Sequence, residues 1–379
     1  MAQLRFRRFN DLAFLQSIDK PQYCAPLLLP FSDYFKRQGL DVSKLANDDA
    51  TDRKLLEVFT KPDEEMPGDL LELLYVLDDL ADDSGHDRIL SEVDRSGEPI
   101  EGLNGEMTPG EYAIAVYRAK PGLIQACYDK TVHRKIKNYT EFQSANGARL
   151  TLASAKKGKA ALEQTLAKWF DSRNRGMVCD IYPYEEGPEI RFIVTHGQTY
   201  RSEGSIDKNL KKSRVAYRPQ KHDSIIYDTQ TGVLKLNAQS QPEKEEYRRQ
   251  FGQIFFNDSA HFPSGDIYTL KPMQAAHFDL SLPNGIESAQ LCEVWIQIED
   301  DQNILQITKG YSLLKSAKSK TCPNLSQGEI VRAAFRVKYR GGGKARRLEV
   351  RPPNIAIYDR DRDGATAEAF LGANRLIKK

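Results

Sequence analysis

Long apolar runs, paired cysteines and familiar catalytic signatures are all missing from these 379 residues. Nowhere do eighteen apolar residues follow one another, so no membrane-crossing helix and no membrane partner are expected. The opening MAQLRFRRFNDLAFL carries basic residues but no apolar stretch of signal-peptide length, which points to a cytoplasmic protein. The cysteines (Cys24, Cys127, Cys179, Cys292 and Cys322) are odd in number and widely spaced, as reduced thiols are, and not a disulfide framework. No GxGxxG or GxSxG occurs. In AKKGKAALE the pair Gly158–Lys159 is followed by Ala160 where a phosphate loop needs Ser or Thr, and Ala153 fills the first glycine position. HxxxH, HxH and CxxC spacings are also absent, which argues against a zinc site, and no cofactor is expected.

What is present is a division of charge. Residues 1–130 hold 15 Lys and Arg against 25 Asp and Glu, whereas the remainder holds 40 against 28. A formal net charge of +2 therefore conceals an acidic front and a basic back. The front reads as helical. In Met66–Gly85, leucines at 70, 73, 74, 77 and 80 form one stripe, with Pro67 in a first turn and Gly85 as a left-handed cap. Thr108 and Glu111, with Pro109 between them, form a capping-box pattern. From about Lys135 the chain turns to strands: a pair around Asn146–Gly147, a hairpin at Glu185–Pro188, and another over Ser224–Ala238. Helices are expected over Lys156–Ser172 and Pro242–Phe256, and two more strands are joined by Asp300–Asn303. The fold class expected is α+β: a helical association domain over 1–130, an α+β domain over 131–260 and a β-rich basic domain over 261–379.

Three stretches could carry chemistry. FRVKYRGGGKARRLEVRPPN (Phe335–Asn354) has seven Lys and Arg against one Glu around three glycines. Alternation puts Val331, Ala333, Phe335, Val337 and Tyr339 on one face and Arg332, Arg336, Lys338 and Arg340 on the other. A register pairing Val337 with Leu348 and Phe335 with Val350 sets Lys338 against Arg347 and Arg336 against Glu349. Like charges directly opposite are unfavourable, so an anion is expected to compensate. Arg332, Arg336, Lys338, Arg340, Lys344, Arg347 and Arg351 are the candidate nucleic-acid contacts, acting on phosphates. The plain alternatives are the wet face of a half-buried hairpin, or a docking surface for an acidic protein. A second basic run, DKNLKKSRVAYRPQKHD (Asp207–Asp223), reads as a long loop, a solvated linker or a further contact.

The third is a set of histidines and acids. His196 ends the strand EIRFIVTHG, and His222–Asp223 open the strand leading to Asp228. If the two hairpins are neighbours, these four and Glu189 could converge as the acid–base or metal site of a hydrolase or nuclease. A strand-end histidine is more often a hydrogen-bonded structural residue. DRDRDG (Asp359–Gly364) matches half of a calcium loop, but Phe370 stands where a bidentate acid is required, and a turn capping the last helix is the better reading.

Two segments, YRPQKHDSIIYDTQTGVLKL and LEVRPPNIAIYDRDRD, resemble segments of uncharacterised bacterial proteins from phage-defence gene neighbourhoods. That resemblance implies an accessory subunit in a multi-gene antiviral system and brings no catalytic residue with it. The expectation from the whole chain is a non-enzymatic nucleic-acid-binding subunit with further protein partners.

Overall fold

Aspartates and one threonine start half of the α-helices of the acidic front. Asp48, Asp82 and Thr108 each accept a backbone N–H of the turn they open, satisfying donors that a helix start leaves unpaired. The computed structural model describes residues 6–61, 63, 65–134, 136–147, 149–206, 211–263, 265–275, 278–298, 303–314 and 324–378. The architecture is α+β. It divides into two compact units: Met1–Val132 with Ile206–Lys211, and His133–Ser205 with Lys212–Lys379.

The first unit contains α1 (Leu12–Gln16), α2 (Ala25–Leu28), α3 (Ser32–Arg37), α4 (Asp49–Thr60), α5 (Gly68–Leu80), α6 (Asp83–Ser96), α7 (Pro109–Ala119) and α8 (Pro121–Arg134). The five leucines of the expected stripe are all buried. The helix nevertheless ends sooner than expected, at Leu80. Gly85 is not a cap but the third residue of α6, whose N-cap Asp82 accepts from the Gly85 amide. A β-carbon at Gly85 would lie 2.0 Å from the Leu80 carbonyl oxygen, so the glycine allows two helices to meet at a tight corner. The Thr108–Glu111 capping box is formed. Two buried polar contacts tie the unit together. Asp78 accepts from the amides of Arg7, Arg8 and Phe9 at 2.7–3.1 Å. Lys20 and Asp52, 1% and 3% exposed, pair at 2.6 Å.

The second unit is built on one antiparallel sheet. Its strands are β1 (Asn138–Gln143), β2 (Cys179–Glu186), β3 (Glu189–Gly197), β6 (Gln220–Asp228), β7 (Val233–Asn237), β8 (Ile286–Gln297), β9 (Leu305–Lys309), β10 (Glu329–Tyr339), β11 (Arg346–Arg351) and β12 (Ile355–Ile357). Their order is β2-β3-β6-β7-β1-β12-β11-β10-β8-β9. Strands from both sides of residue 260 thus hydrogen-bond in the same sheet. The other strands, β4 (Arg201–Ile206) and β5 (Lys212–Tyr217), form a separate two-stranded ribbon where the sequence suggested a loop. The helices are α9 (Leu152–Asp171), α10 (Gln241–Phe256) and α11 (Arg360–Ala373). The strand pair expected around Asn146–Gly147 does not form. Beyond β1 the chain is held by other loops, with Ser144 N donating to Gly232 O and Ala145 N to His261 O, and Thr151 then caps α9.

Side-chain alternation gives this sheet two cores on opposite faces. Phe142 of β1 packs in a core with Leu162, Leu166 and Phe170 of α9 and Tyr247 and Phe251 of α10. Its strand neighbour Tyr139 points the other way and stands opposite Ala356. Ala356 belongs to the second core, with Phe335, Leu348, Val350 and, from α11, Phe370 and Leu371. The open face of β8, β10 and β11 therefore lies on the same side of the sheet as α9 and α10. At the seam between the halves, the Arg360 guanidinium sits 4.6 Å from the Tyr139 ring and 4.4 Å from the Tyr358 ring, and donates to Glu141.

Candidate functional site

The basic hairpin has the faces expected of it but not the register. Ala333, Phe335, Val337, Leu348 and Val350 are fully buried, while Arg336, Arg340, Lys344 and Arg347 are exposed. Phe335 pairs with Leu348 and Arg336 with Arg347, a slip of two residues from the expected pairing. A two-residue slip keeps every side chain on its face, so alternation alone could not distinguish the two registers.

The slip changes which charges meet, and so does β8. Glu349 sits in the middle of the cations, 2.8 Å from both Arg332 and Arg347 and 2.5 Å from Arg351. Glu293, contributed by β8 and placed opposite Ala334, pairs with Arg347 at 2.8 Å. Lys338 pairs with Glu287 at 2.7 Å, with both partners about half exposed, a contact of little energetic weight. Four of the seven expected cations thus have carboxylate partners in this chain, and the expectation that the hairpin's charges are uncompensated is corrected to that extent. Arg336, Arg340 and Lys344 form no ion pair among the described residues. The Arg336 guanidinium lies 5.2 Å from the ring centre of exposed Tyr311. Glu293 was missed because β8 lies some forty residues upstream and the sequence gives no sign that it pairs with β10, whereas Glu349 was expected opposite Arg336 and instead stands opposite Ala334.

Both carboxylates are held below the usual glutamate range. Burial pushes the Glu293 carboxyl up, but hydrogen bonds from Arg347 and Trp295, with the Arg332 charge, outweigh it and hold it at about 2. Glu349 is likewise lowered: burial opposes ionisation, and Arg347, Arg351 and Arg332 overcome it. These acids organise the guanidiniums above them. An arginine has five N–H donors, so one held on a buried carboxylate still presents donors to solvent, and the Arg347 and Arg351 side chains remain 47% and 38% exposed.

The histidine set separates. β3 and β6 are neighbours, with Thr195 opposite His222 and His196 opposite Lys221. His196 and Asp223 share the face beneath α9 and α10, and His196 Nε2 lies 3.0 Å from Asp223 Oδ2. His222 belongs to the alternate face and its Nδ1 meets Thr195 Oγ1 at 2.9 Å. Asp228 stands five residues along β6 from Asp223, about 17 Å away, accepting from the Gln230 and Thr231 amides of its own turn. Glu189 pairs with Lys235 and Arg191 near that far end. Of the five, only His196 and Asp223 come together; His222, Asp228 and Glu189 stand apart from them.

His196 and Asp223 instead join groups the sequence did not single out. Tyr247 donates to Asp223 Oδ2 at 2.7 Å, and Lys221 Nζ lies 2.7 Å from Asp223 Oδ1. Glu243 takes an ion pair from Arg175 and lies 3.8 Å from Lys221. His196 is stacked on Phe170 at 4.0 Å, and its Nδ1 faces the Gly197 carbonyl at 2.8 Å. Burial raises Asp223, but the His196 hydrogen bond and Lys221 bring it below the usual range, and Tyr247 is pushed far up by burial and Asp223. Ligand atoms of His196, Asp223 and Glu243 lie within 4.8 Å of one another, a spacing a cation could bridge. The donor set does not fit one: Lys221 and Arg175 already neutralise both carboxylates, and a dication would have to enter beside two fixed positive charges. This is a charge-balanced structural network.

The calcium-like stretch behaves as a cap. Asp359 N-caps α11, Asp363 takes Arg346 and Asp361 takes Arg191. An open cleft of about 890 Å³ lined by Tyr268, Lys271, Gln274, Gln327, Pro353 and Lys378 contains none of the candidate residues. Cys322 and most of the Asp300–Asn303 turn lie outside the described residues. No helix among the described residues is long and apolar enough to cross a membrane. In comparisons with known proteins, no protein-family model and no curated protein sequence matched this chain.

Proposed function

We propose that this protein binds nucleic acid through backbone phosphates, without catalysing a reaction, on the open face of β8, β10 and β11. The observation that carries this reading is the residual charge there. Lys309, Arg332, Arg336, Lys338, Arg340, Lys344, Arg347 and Arg351 stand on or beside that face, and the carboxylates among them, of the described residues, are Glu287, Glu293, Glu329 and Glu349. The two buried glutamates fix guanidiniums in place, while Arg336, Arg340 and Lys344 are exposed at the centre and turn of the hairpin. Positioned guanidiniums beside free cations suit phosphate oxygens, and contacts of this kind are insensitive to sequence. The resemblance to proteins of phage-defence neighbourhoods is the ground for proposing a place in a bacterial, cytoplasmic antiviral complex, with the acidic helical unit as the site of protein contacts.

The test is the salt dependence of binding to a labelled oligonucleotide. Removing three phosphate contacts lowers the slope of log affinity against log salt by about 2.7. The triple variant Arg336→Gln, Arg340→Gln, Lys344→Gln is expected to show that loss with unchanged thermal stability. An unaltered slope overturns the proposal, and absence of any nucleic-acid binding by the wild type at low salt points instead to an acidic protein partner.

A further inference from the structure

From the ribbon formed by β4 and β5, we infer that the protein has a second contact with nucleic acid: an arm that enters the major groove of duplex DNA. The inference rests on the nucleic-acid reading above and specifies the form bound. The ribbon leaves the sheet between β3 and β6 and its root is closed by a hydrogen bond from Gln198 N to Pro219 O at 2.8 Å. Almost every residue of both strands is exposed. An isolated two-stranded hairpin is marginally stable in water. Here it is laced by side chains, with Ser205 and Ser213 hydroxyls 2.6 Å apart, Arg214 donating to Ser202 and Tyr217 to Glu203.

Charge and shape define the partner. Over residues 198–205 and 212–219 the cations are Arg201, Lys212, Arg214 and Arg218, and the one carboxylate is Glu203. Among the described residues, Arg201 donates to Gln198 and Arg214 to Ser202, both uncharged. Val215, 50% exposed, gives the ribbon an apolar surface on the face opposite Arg214. The B-DNA major groove, about 12 Å wide, admits a two-stranded ribbon, and six-residue strands reach about 20 Å. The A-form RNA major groove is too deep and narrow for this. Stacking on unpaired bases is disfavoured because both tyrosines are engaged: Tyr200 lies 4.5 Å under the Arg218 guanidinium and Tyr217 donates to Glu203. Arg218 is itself fixed to the Asn174 carbonyl, which steadies the base of the arm.

The experiment uses the full chain and fluorescence anisotropy with three probes of one sequence: a DNA duplex, an RNA duplex and single-stranded DNA, each about 20 nucleotides long, at about 50 mM salt. The wild type is expected to prefer the DNA duplex over both others by about tenfold or more. The ribbon variant Arg201→Gln, Lys212→Gln, Arg214→Gln is expected to lose that preference while keeping its melting temperature and a residual, form-independent binding. Equal wild-type affinity for the three probes, or a preference that survives in the ribbon variant, overturns the inference. If the hairpin variant Arg336→Gln, Arg340→Gln, Lys344→Gln binds DNA normally while the ribbon variant does not, the arm stands and the sheet-face reading falls.

Discussion

Arg336 stands directly opposite Arg347 across the β10–β11 ladder. Two guanidiniums in facing positions repel, and the fold resolves this by turning Arg347 toward Glu293 and Glu349 and leaving Arg336 in solvent over Tyr311. The carboxylates that relieve the repulsion lie beneath the cations, so stability and surface charge oppose one another at this face.

Glu349→Gln separates the two. Loss of a buried carboxylate shared by Arg332, Arg347 and Arg351 is expected to lower the unfolding free energy by about 3 kcal/mol, read as a shift in urea midpoint. The same change adds one unit of positive charge, so polyanion binding should tighten and depend more steeply on salt. A variant both less stable and weaker in binding would show that the guanidinium positions matter more than their net charge.

Acid should attack the same pair. Glu293 and Glu349 have folded-state values below those of an unfolded chain, so their contribution is complete above the unfolded glutamate value, about 4.3, and is lost as pH falls toward the folded one. For Glu293 that window runs from about 4.3 down to about 2. Melting temperature should change little between pH 7 and 5 on their account and fall below it. In Glu293→Gln the fall should be shallower; equal pH profiles would remove Glu293 from the cause.

The Lys20–Asp52 pair is the corresponding test in the helical unit. Lys20→Met leaves Asp52 buried and unpaired and is expected to cost about 3–5 kcal/mol, whereas replacing both by apolar residues should recover most of the loss. A double variant no more stable than the single one would mean that the surroundings, including Asn47, whose Oδ1 accepts from the Lys20 amide, do not tolerate the repacking.

For the histidine network, Asp223→Asn is expected to destabilise by about 3 kcal/mol because it leaves Lys221 facing Arg175 with one carboxylate between them. Zinc or manganese added in excess should leave the wild-type melting temperature where it was. A rise with metal would show that Lys221 and Arg175 yield their places to a cation and would restore a metal-centred reading.

Local patterns were readable where the governing interaction is local. The leucine stripe of α5, the Thr108 capping box and the alternation of β10 depend on neighbours within a few residues. What escaped the sequence was set by distant partners. The register of β10 on β11 offered two solutions identical in face. Glu293 reached Arg347 across 54 positions, and Glu243 came near Asp223 because α10 packs on the sheet, where its Tyr247 donates to Asp223. Gly85 misled because a glycine after a helical stripe signals a cap, whereas here it makes room for the Leu80 carbonyl. Likewise, the Asn146–Gly147 dipeptide signals a hairpin only when a following segment is free to pair.

The seam between the halves of the sheet has a mechanical consequence. β12 is three residues long and meets each neighbour through three register pairs, yet it joins two halves whose cores lie on opposite sides. Under force or protease the sheet should tear along this line, each fragment retaining its own helices. Arg360, clasped between two tyrosine rings and Glu141, is the rivet whose removal would let amide protons along β1 and β12 exchange ahead of the rest.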